Sequence, residues 1–285
     1  MKRIHKVLAI LFRRFRVKKL ISILNESDDT QLKAVSNALY GTINKSLSDD
    51  ERLLIEAIER RRYELLDSEE LLNVQDYGAG NSTSSRTQAE MDQGVHCTVK
   101  LSDVCKASKR KFWALFLYKL VRNIKPLSCV ELGTCVGISA SYQATALKLN
   151  GNNGRLVTLE GSDEVALVAV KSFESLDLQN VSVVVGPFHK TLADTLKKSG
   201  PIDYFFNDGH HDHDAVLRYF HESLPHLSTE AVIVFDDISW SPGMRSAWEE
   251  IKRHSRIRAS VDLGDIGIAL ISDSPVDKMH FKAAL

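Results

Sequence analysis

The sequence has few cysteines and no long hydrophobic run near its N-terminus, and each absence excludes a class of protein. The four cysteines among 285 residues form no CxxC pair and no zinc-finger spacing, which predicts reduced thiols in a cytoplasmic protein. The apolar run at residues 7–12 is far shorter than the roughly 20 residues that a membrane-spanning helix needs. Arginines directly after this run also argue against a secretory signal peptide.

A net charge is absent as well, because 37 basic and 37 acidic side chains cancel. A neutral chain is not expected to coat nucleic acid, so no nucleic-acid partner is predicted. Residues 1–24 nevertheless hold basic side chains and no acidic one, with apolar residues at intervals of three and four. This pattern predicts an amphipathic leader helix that packs on the helical region or on a second subunit of a homodimer. Peripheral contact with an anionic membrane surface is the alternative.

Residues 1–125 are predicted to form a helical N-terminal region. One helix is expected to begin at Ser48, since Ser48 and Glu51 have the spacing of a capping box. Another is expected to be capped near Ser108. Residues 75–94 are rich in Gly, Ser, Thr and Asn, which predicts a long loop of the kind that covers a binding site.

Residues 126–285 show a different pattern, in which short apolar runs alternate with helical segments. Five runs are almost continuously apolar, as expected of parallel strands that are buried on both faces. A Gly-Asp turn at residues 264–265 joins the last two runs, which predicts a C-terminal β-hairpin. The pattern therefore predicts an α/β fold with a doubly wound sheet. The strands are expected at residues 128–133, 156–160, 181–185, 202–207, 231–236, 256–263 and 266–272.

A glycine motif, Glu131-Leu-Gly133-Thr-Cys-Val-Gly137-Ile-Ser139, follows the first predicted strand. Its glycines let the backbone turn sharply and approach a ligand. Their GxxxG spacing differs from the GxGxxG spacing that places a pyrophosphate on a helix N-terminus. S-adenosylmethionine has no phosphate, and its ammonium and sulfonium groups suit an acidic residue such as Glu131 at the strand end.

The next two strands end in further residues suited to this cofactor. Glu160 can accept hydrogen bonds from both ribose hydroxyls, and Phe188 can lie against an adenine. The alternative is that the glycines are ordinary turn residues and Glu160 is a solvated acid, but the common register of the motifs favours a cofactor site. The residues predicted to contact S-adenosylmethionine are Glu131, Gly133, Thr134, Gly137, Ser139, Glu160, Gly161, Ser162, Gly186, Phe188 and Asp208.

Three carboxylates follow the fourth and fifth predicted strands: Asp208, Asp236 and Asp237. The carboxyl ends of parallel strands open onto one crevice, where three bare acids would repel one another. A hard cation such as Mg²⁺ would relieve this repulsion and lower the pKa of a substrate hydroxyl. The alternative is that Asp208 touches only the cofactor, while Asp236 and Asp237 cap the following turn.

Residues 126–272 resemble a class I S-adenosylmethionine-dependent methyltransferase, in the branch that includes catechol-type and macrolide-sugar O-methyltransferases. The E-L-G-T-x-x-G-x-S, N-D-G-H-H and F-D-D-I segments carry the resemblance. It implies a Rossmann-like seven-stranded methyltransferase sheet, five parallel strands plus the β-hairpin. Metal-dependent relatives hold their ion at positions that match Asp208, Asp236 and Asp237. Many also have a histidine at the position of His211.

His211 is the predicted general base, or else an orienting group for the acceptor. A zinc site of His210, His211 and His213 is less favoured, since one short turn would supply most of the ligands. Trp240 is predicted to line an acceptor pocket, whereas core packing explains Trp248 at least as well.

The sequence thus predicts an O-methyltransferase for a hydroxyl of a small metabolite, with S-adenosylmethionine as cofactor and assistance from Mg²⁺. Residues 76–80 also resemble a segment that precedes the catalytic domain in some bacterial relatives, and they are predicted to form part of a lid. One alternative is a metal-independent enzyme that uses His211 on an amine or a carboxylate. Another is a non-catalytic partner-binding protein with a vestigial nucleotide site.

Overall fold

The computed structural model describes residues 15–78, 80–81, 84–274 and 277–285, and it begins with three helices. Residues 15–26 form α1, the described part of the predicted leader helix; residues 1–14 of that prediction lie outside the described residues. Helix α2 (Thr30–Ile43) follows, and α3 (Asp49–Leu66) begins at the predicted capping box.

A two-stranded antiparallel ribbon then interrupts the helices. Strand β1 (Leu71–Asp76) pairs with β4 (Val95–Lys100), and the chain between them forms an excursion of short elements. The predicted loop at residues 75–94 is therefore partly ordered, with residues 79, 82 and 83 outside the described part. The elements of the excursion are β2 (Gly80–Asn81), β3 (Ser84–Ser85) and α4 (Gln88–Gln93).

Helices α5 (Leu101–Lys106) and α6 (Lys111–Ile124) complete the N-terminal region. The prediction of a cap near Ser108 is wrong, because α6 begins after Arg110 and has no side-chain cap. Ser108 is buried instead, with its hydroxyl directed at the sulfur of Cys105.

The rest of the chain alternates strands with helices. The strands are β5 (Ser128–Leu132), β6 (Arg155–Glu160), β7 (Val181–Val185), β8 (Ile202–Asn207), β9 (Leu227–Phe235), β10 (Ile257–Asp262), β11 (Gly267–Ile271) and β12 (Met279–Lys282). The helices are α7 (Ile138–Asn150), α8 (Asp163–Ser175), α9 (Phe188–Ser199), α10 (His213–Ser223) and α11 (Pro242–Arg253), with a short 3₁₀ turn after α10.

These strands form one sheet in the order β12-β10-β11-β9-β8-β5-β6-β7. Strands β5 to β9 are parallel, and β11 is antiparallel to both β9 and β10, so the predicted parallel sheet with a closing hairpin is confirmed. The eighth strand, β12, pairs with β10 beyond the hairpin. It was not predicted because it is short and largely exposed.

Strand β5 lies between β6 and β8: the chain runs from β5 outward through β6 to β7 and then crosses back to β8, so the strand order reverses at β5. Ligands bind in parallel α/β sheets at such a switch point, outside the carboxyl ends of the strands. A single cluster of buried apolar side chains joins one face of the sheet to the N-terminal helices. No helix in the described ranges combines the length and apolar character that crossing a bilayer requires.

Candidate active site

A cavity of about 180 Å³ lies at the carboxyl ends of the central strands. Gly133, which follows β5, closes one side of it with a φ of +92°. A Cβ atom at Gly133 would lie 2.2 Å from the carbonyl oxygen of Asp208, so only glycine lets the two turns approach this closely. The cavity is also lined by Glu160, Gly161 and Phe188, which were predicted as cofactor residues.

Glu160 is held in place by the backbone around the cavity. Its carboxylate accepts hydrogen bonds from the N–H groups of Cys135 at 2.9 Å and Ser162 at 3.1 Å. Burial raises the pKa of Glu160 to about 7, although these hydrogen bonds act in the opposite direction. The side chain is therefore a fixed, poorly solvated acceptor at the cavity wall.

Glu131 occupies a different environment, because it is fully buried within the sheet. Its carboxylate accepts hydrogen bonds from Thr158 at 2.7 Å and Gln143 at 2.8 Å, and the hydroxyl of Ser139 also interacts with it. Thr134 shares a hydrogen bond of 2.7 Å with Thr158. Three of the predicted cofactor residues thus form a buried polar network behind the glycine motif.

The other predicted cofactor residues lie at the starts of the neighbouring helices. Gly137 precedes α7, and Ser162 precedes α8 with its hydroxyl buried and without a hydrogen-bond partner in the described part of the chain. Gly186 turns the chain before α9. These residues shape the loops around the cavity but are not among its lining side chains.

His210 links the opposite wall of the cavity to the excursion between β1 and β4. Its Nδ1 is hydrogen-bonded to the hydroxyl of Tyr219, and its Nε2 to the backbone carbonyl of Tyr77. The ring of Phe188 packs edge-on against His210, with ring centroids 5.5 Å apart. Both nitrogens of His210 are engaged, so this histidine holds the segment around Tyr77 against the cavity.

Beside the cavity, the turns after β8 and β9 bring together acidic groups and His211. His211 Nε2 lies 3.4 Å from Asp208, and its Nδ1 lies 3.4 Å from Asp237. One ligand atom from each of Asp208, His211 and Asp236 lies within 4.8 Å of the others. The structure thus assembles the four residues that the sequence analysis assigned to metal binding and catalysis.

Lys109 is a member of this cluster that the sequence analysis did not identify. Its Nζ lies 3.2 Å from Asp208 and forms a second ion pair with Asp236. Lys109 comes from the linker between α5 and α6, nearly 100 residues before Asp208. No local signal distinguishes it from neighbouring lysines, because its position arises only from tertiary packing.

Burial shifts the pKa values of three ionisable groups in the cluster. Burial raises the pKa of Asp208, and the charge of Asp236 raises it further, against the opposing effect of Lys109. Burial lowers the pKa of His211 despite the charge of Asp237, which favours the neutral imidazole. Burial also raises the pKa of Asp237. The positive charge of Lys109 therefore does not fully compensate the negative charge of the carboxylates that meet here.

The side chains of the cluster offer the kinds of ligand atom that a hard divalent cation binds. Carboxylate oxygens are the preferred ligands of Mg²⁺, and an imidazole nitrogen is accepted by Mn²⁺ and related ions. His211 Nε2 is buried and makes no hydrogen bond within the described residues, as expected of a nitrogen that serves as a ligand or a base. The same two carboxylates that would bind the ion, Asp208 and Asp236, also bind Lys109.

The two tryptophans and the third histidine have separate environments. Trp240 is 61% exposed, and its ring centroid lies 6.3 Å from that of His211, at the mouth of the cluster. Trp248 is buried in the core, which confirms the packing interpretation for this residue. His213 pairs with Asp214 on the surface, so the three histidines do not converge on a zinc site.

One family model and one curated relative that match this sequence are both described as methyltransferases. Residues 130–238 match the model of a family described as a methyltransferase domain. A catechol O-methyltransferase from Niastella koreensis is 31% identical over 125 residues, which are 43% of this chain and 54% of that protein. The chain thus spans about half the length of this curated relative.

Solved methyltransferase structures share the fold. An O-methyltransferase of tomaymycin synthesis from Streptomyces achromogenes, in complex with S-adenosylmethionine, is 24% identical with a TM-score of 0.51, covering 58% of this chain and 82% of that chain. The O-methyltransferase from Bacillus cereus is 19% identical with a TM-score of 0.51, and the similarity covers 82% of this chain and 96% of that chain. The Podospora anserina methyltransferase PaMTH1 is 16% identical with a TM-score of 0.54, and the similarity covers 85% of this chain and 97% of that chain. At these identities the similarity establishes the fold alone.

Proposed function

We propose that this protein is a class I S-adenosylmethionine-dependent methyltransferase that transfers a methyl group to a hydroxyl of a small metabolite, assisted by a divalent cation. One observation carries the proposal: the cavity that contains Gly133 and Glu160 adjoins the cluster of Asp208, His211 and Asp236. Gly209, the residue directly after Asp208 in the chain, lines the cavity. A cofactor methyl and an acceptor hydroxyl would therefore meet at this boundary.

Each side of the boundary has a role in this proposal. Glu160 accepts hydrogen bonds from the cofactor ribose, and the wall formed by Phe188 supports the adenine. Asp208, Asp236 and Asp237 would hold Mg²⁺, which when bound supplies Lewis acidity that orients the acceptor hydroxyl and lowers its pKa. His211 accepts the hydroxyl proton, for which a neutral imidazole is required. Fixed alignment of the two reactants supports in-line methyl transfer.

Turnover with catechol as the first acceptor tests this proposal. We expect S-adenosylmethionine to yield a product heavier by one methylene, detected by mass spectrometry, with the activity lost after chelation and restored by Mg²⁺. The substitution His211→Ala is expected to lower kcat by about 10²-fold or more, as for loss of a general base. The matched control, His213→Ala, removes a surface histidine and should change kcat less than about twofold.

Two results would count against parts of this proposal. Activity that persists unchanged after chelation supports the metal-independent route instead. If neither S-adenosylmethionine nor its demethylated product raises the melting temperature, the cofactor site itself is refuted, and a partner-binding role becomes the better explanation.

A further inference from the structure

Lys109 is the only cation that the described residues place between the acids of the cluster. Its Nζ contacts both Asp208 and Asp236, and the side chain is only 11% exposed. It also lies over the ring of Phe206, 5.9 Å from the ring centroid. The ammonium group is therefore held in the position where the two carboxylates converge.

A divalent ion bound by the same carboxylates would need this position. Mg²⁺ binds carboxylate oxygens at about 2.0–2.1 Å, closer than an ammonium nitrogen approaches them. An ion and Nζ that both contacted Asp208 and Asp236 would place two positive charges within a few ångströms in a poorly solvated site. The two cations therefore exclude one another from these carboxylates.

For Lys109 to leave the two acids, its side chain would have to rotate away from them while its backbone stayed in place. Its backbone lies in the linker between α5 and α6, where neighbouring Arg110 donates to Asp265 at 2.6 Å and so fixes the start of α6. The lysine stem is flexible, and its ammonium group is a compact charge that is not locked into the planar fork geometry of a guanidinium. Asp237 adjoins the cluster as a third carboxylate, and its charge also acts on Lys109.

We propose that Lys109 is a built-in competitor of the divalent cation: it neutralises Asp208 and Asp236 in the metal-free protein and is displaced when the ion binds. Lys109 thereby lowers the affinity of the cluster for the ion and keeps the acids together without it. This inference rests on the metal-binding part of the proposed function, and on no assumption about the acceptor.

A titration of the protein with Mn²⁺ tests the competition between Lys109 and the ion. Electron paramagnetic resonance measures the free Mn²⁺ at each step. Lys109→Met keeps the length of the side chain and removes its charge, and we expect it to bind Mn²⁺ at least tenfold more tightly than the wild type. Lys109→Arg retains the charge and should bind weakly. The matched control is Lys106→Met, which removes an exposed lysine paired with Asp103 and should leave Mn²⁺ affinity unchanged.

Equal or weaker Mn²⁺ affinity in Lys109→Met would overturn the proposal, and so would the absence of Mn²⁺ binding in every variant. Calorimetry with S-adenosylhomocysteine in the same variants separates these outcomes from failure of the cofactor site, because Lys109 does not line the cavity. Should the Met variant not fold, wild-type crystals with Mn²⁺ decide the matter. We expect anomalous density between Asp208 and Asp236 with Nζ withdrawn; Nζ still between the two acids beside bound Mn²⁺ would contradict the competition.

Discussion

Two glutamates illustrate how one residue type serves two purposes in this protein. Glu131 and Glu160 end adjacent strands, and burial raises the pKa of each to about 7. Glu131 is enclosed by Thr158 and Gln143, whereas Glu160 borders the cavity. Of these two glutamates, Glu160 is the one that a bound cofactor would contact. The protonation of Glu160 is therefore expected to make cofactor affinity depend on pH.

We predict that S-adenosylhomocysteine binds about tenfold more tightly at pH 8 than at pH 6. The Glu160 pKa is raised above its ordinary value, so the folded protein retains the proton until the pH passes about 7. The ionised carboxylate, the better acceptor for ribose hydroxyls, therefore forms as the pH rises. Calorimetry at pH 6, 7 and 8 measures this, and Glu160→Gln should bind weakly with no such trend. A trend that persists in the variant would assign the titration to another group.

At the scale of secondary structure, the central sheet was predictable and the ribbon of β1 and β4 was not. Strands such as β5 and β8 are almost wholly buried, and most of their residues are apolar. Strand β4 is mostly exposed and β1 is largely half-buried, and their mixed composition carries no period that identifies a strand. The carboxylates were predictable because parallel strands end together, whereas Lys109 reaches them only through the packing of a distant linker.

The excursion between β1 and β4 covers the cavity with Tyr77. Its ring lies so close to Gly161 that a Cβ atom there would be 2.6 Å from the ring, and Tyr77 lines the cavity itself. Tyr77→Ala is expected to weaken S-adenosylhomocysteine binding about tenfold, since it removes an aromatic wall. The control, Tyr77→Phe, keeps the ring and should bind within about twofold of the wild type. Equal affinity in Tyr77→Ala, measured by calorimetry, would show that this segment does not contact the cofactor.

The molecule as a whole has a hydrophobic core that crosses the boundary between the helical region and the sheet. Leu39 of α2 and Phe116 of α6 belong to the same buried cluster as Val234 of β9. Arg258 on β10 also pairs with Asp29 at the start of α2. The N-terminal helices are thus part of the folding unit that contains the site.

This shared core predicts a single cooperative unfolding transition. In urea, tryptophan fluorescence and far-ultraviolet circular dichroism should give coincident curves, because Trp113 reports on α6 and Trp248 on the opposite face of the sheet. Two separated transitions would show that the helical region unfolds independently. In that case the placement of Lys109 would not be coupled to the stability of the sheet.

The walls of the cavity come from parts of the chain that differ in how freely their sequences can vary. The turns after β5, β6 and β8 are constrained by the central sheet. A single added Cβ atom at Gly133, for example, would clash with the backbone of Asp208. The cover comes from the excursion between β1 and β4, whose strands pair only with each other. Mutation can therefore reshape this cover while the pairing of the central sheet stays intact, so the enclosure of the cofactor cavity can change without a change in the residues that the sheet positions.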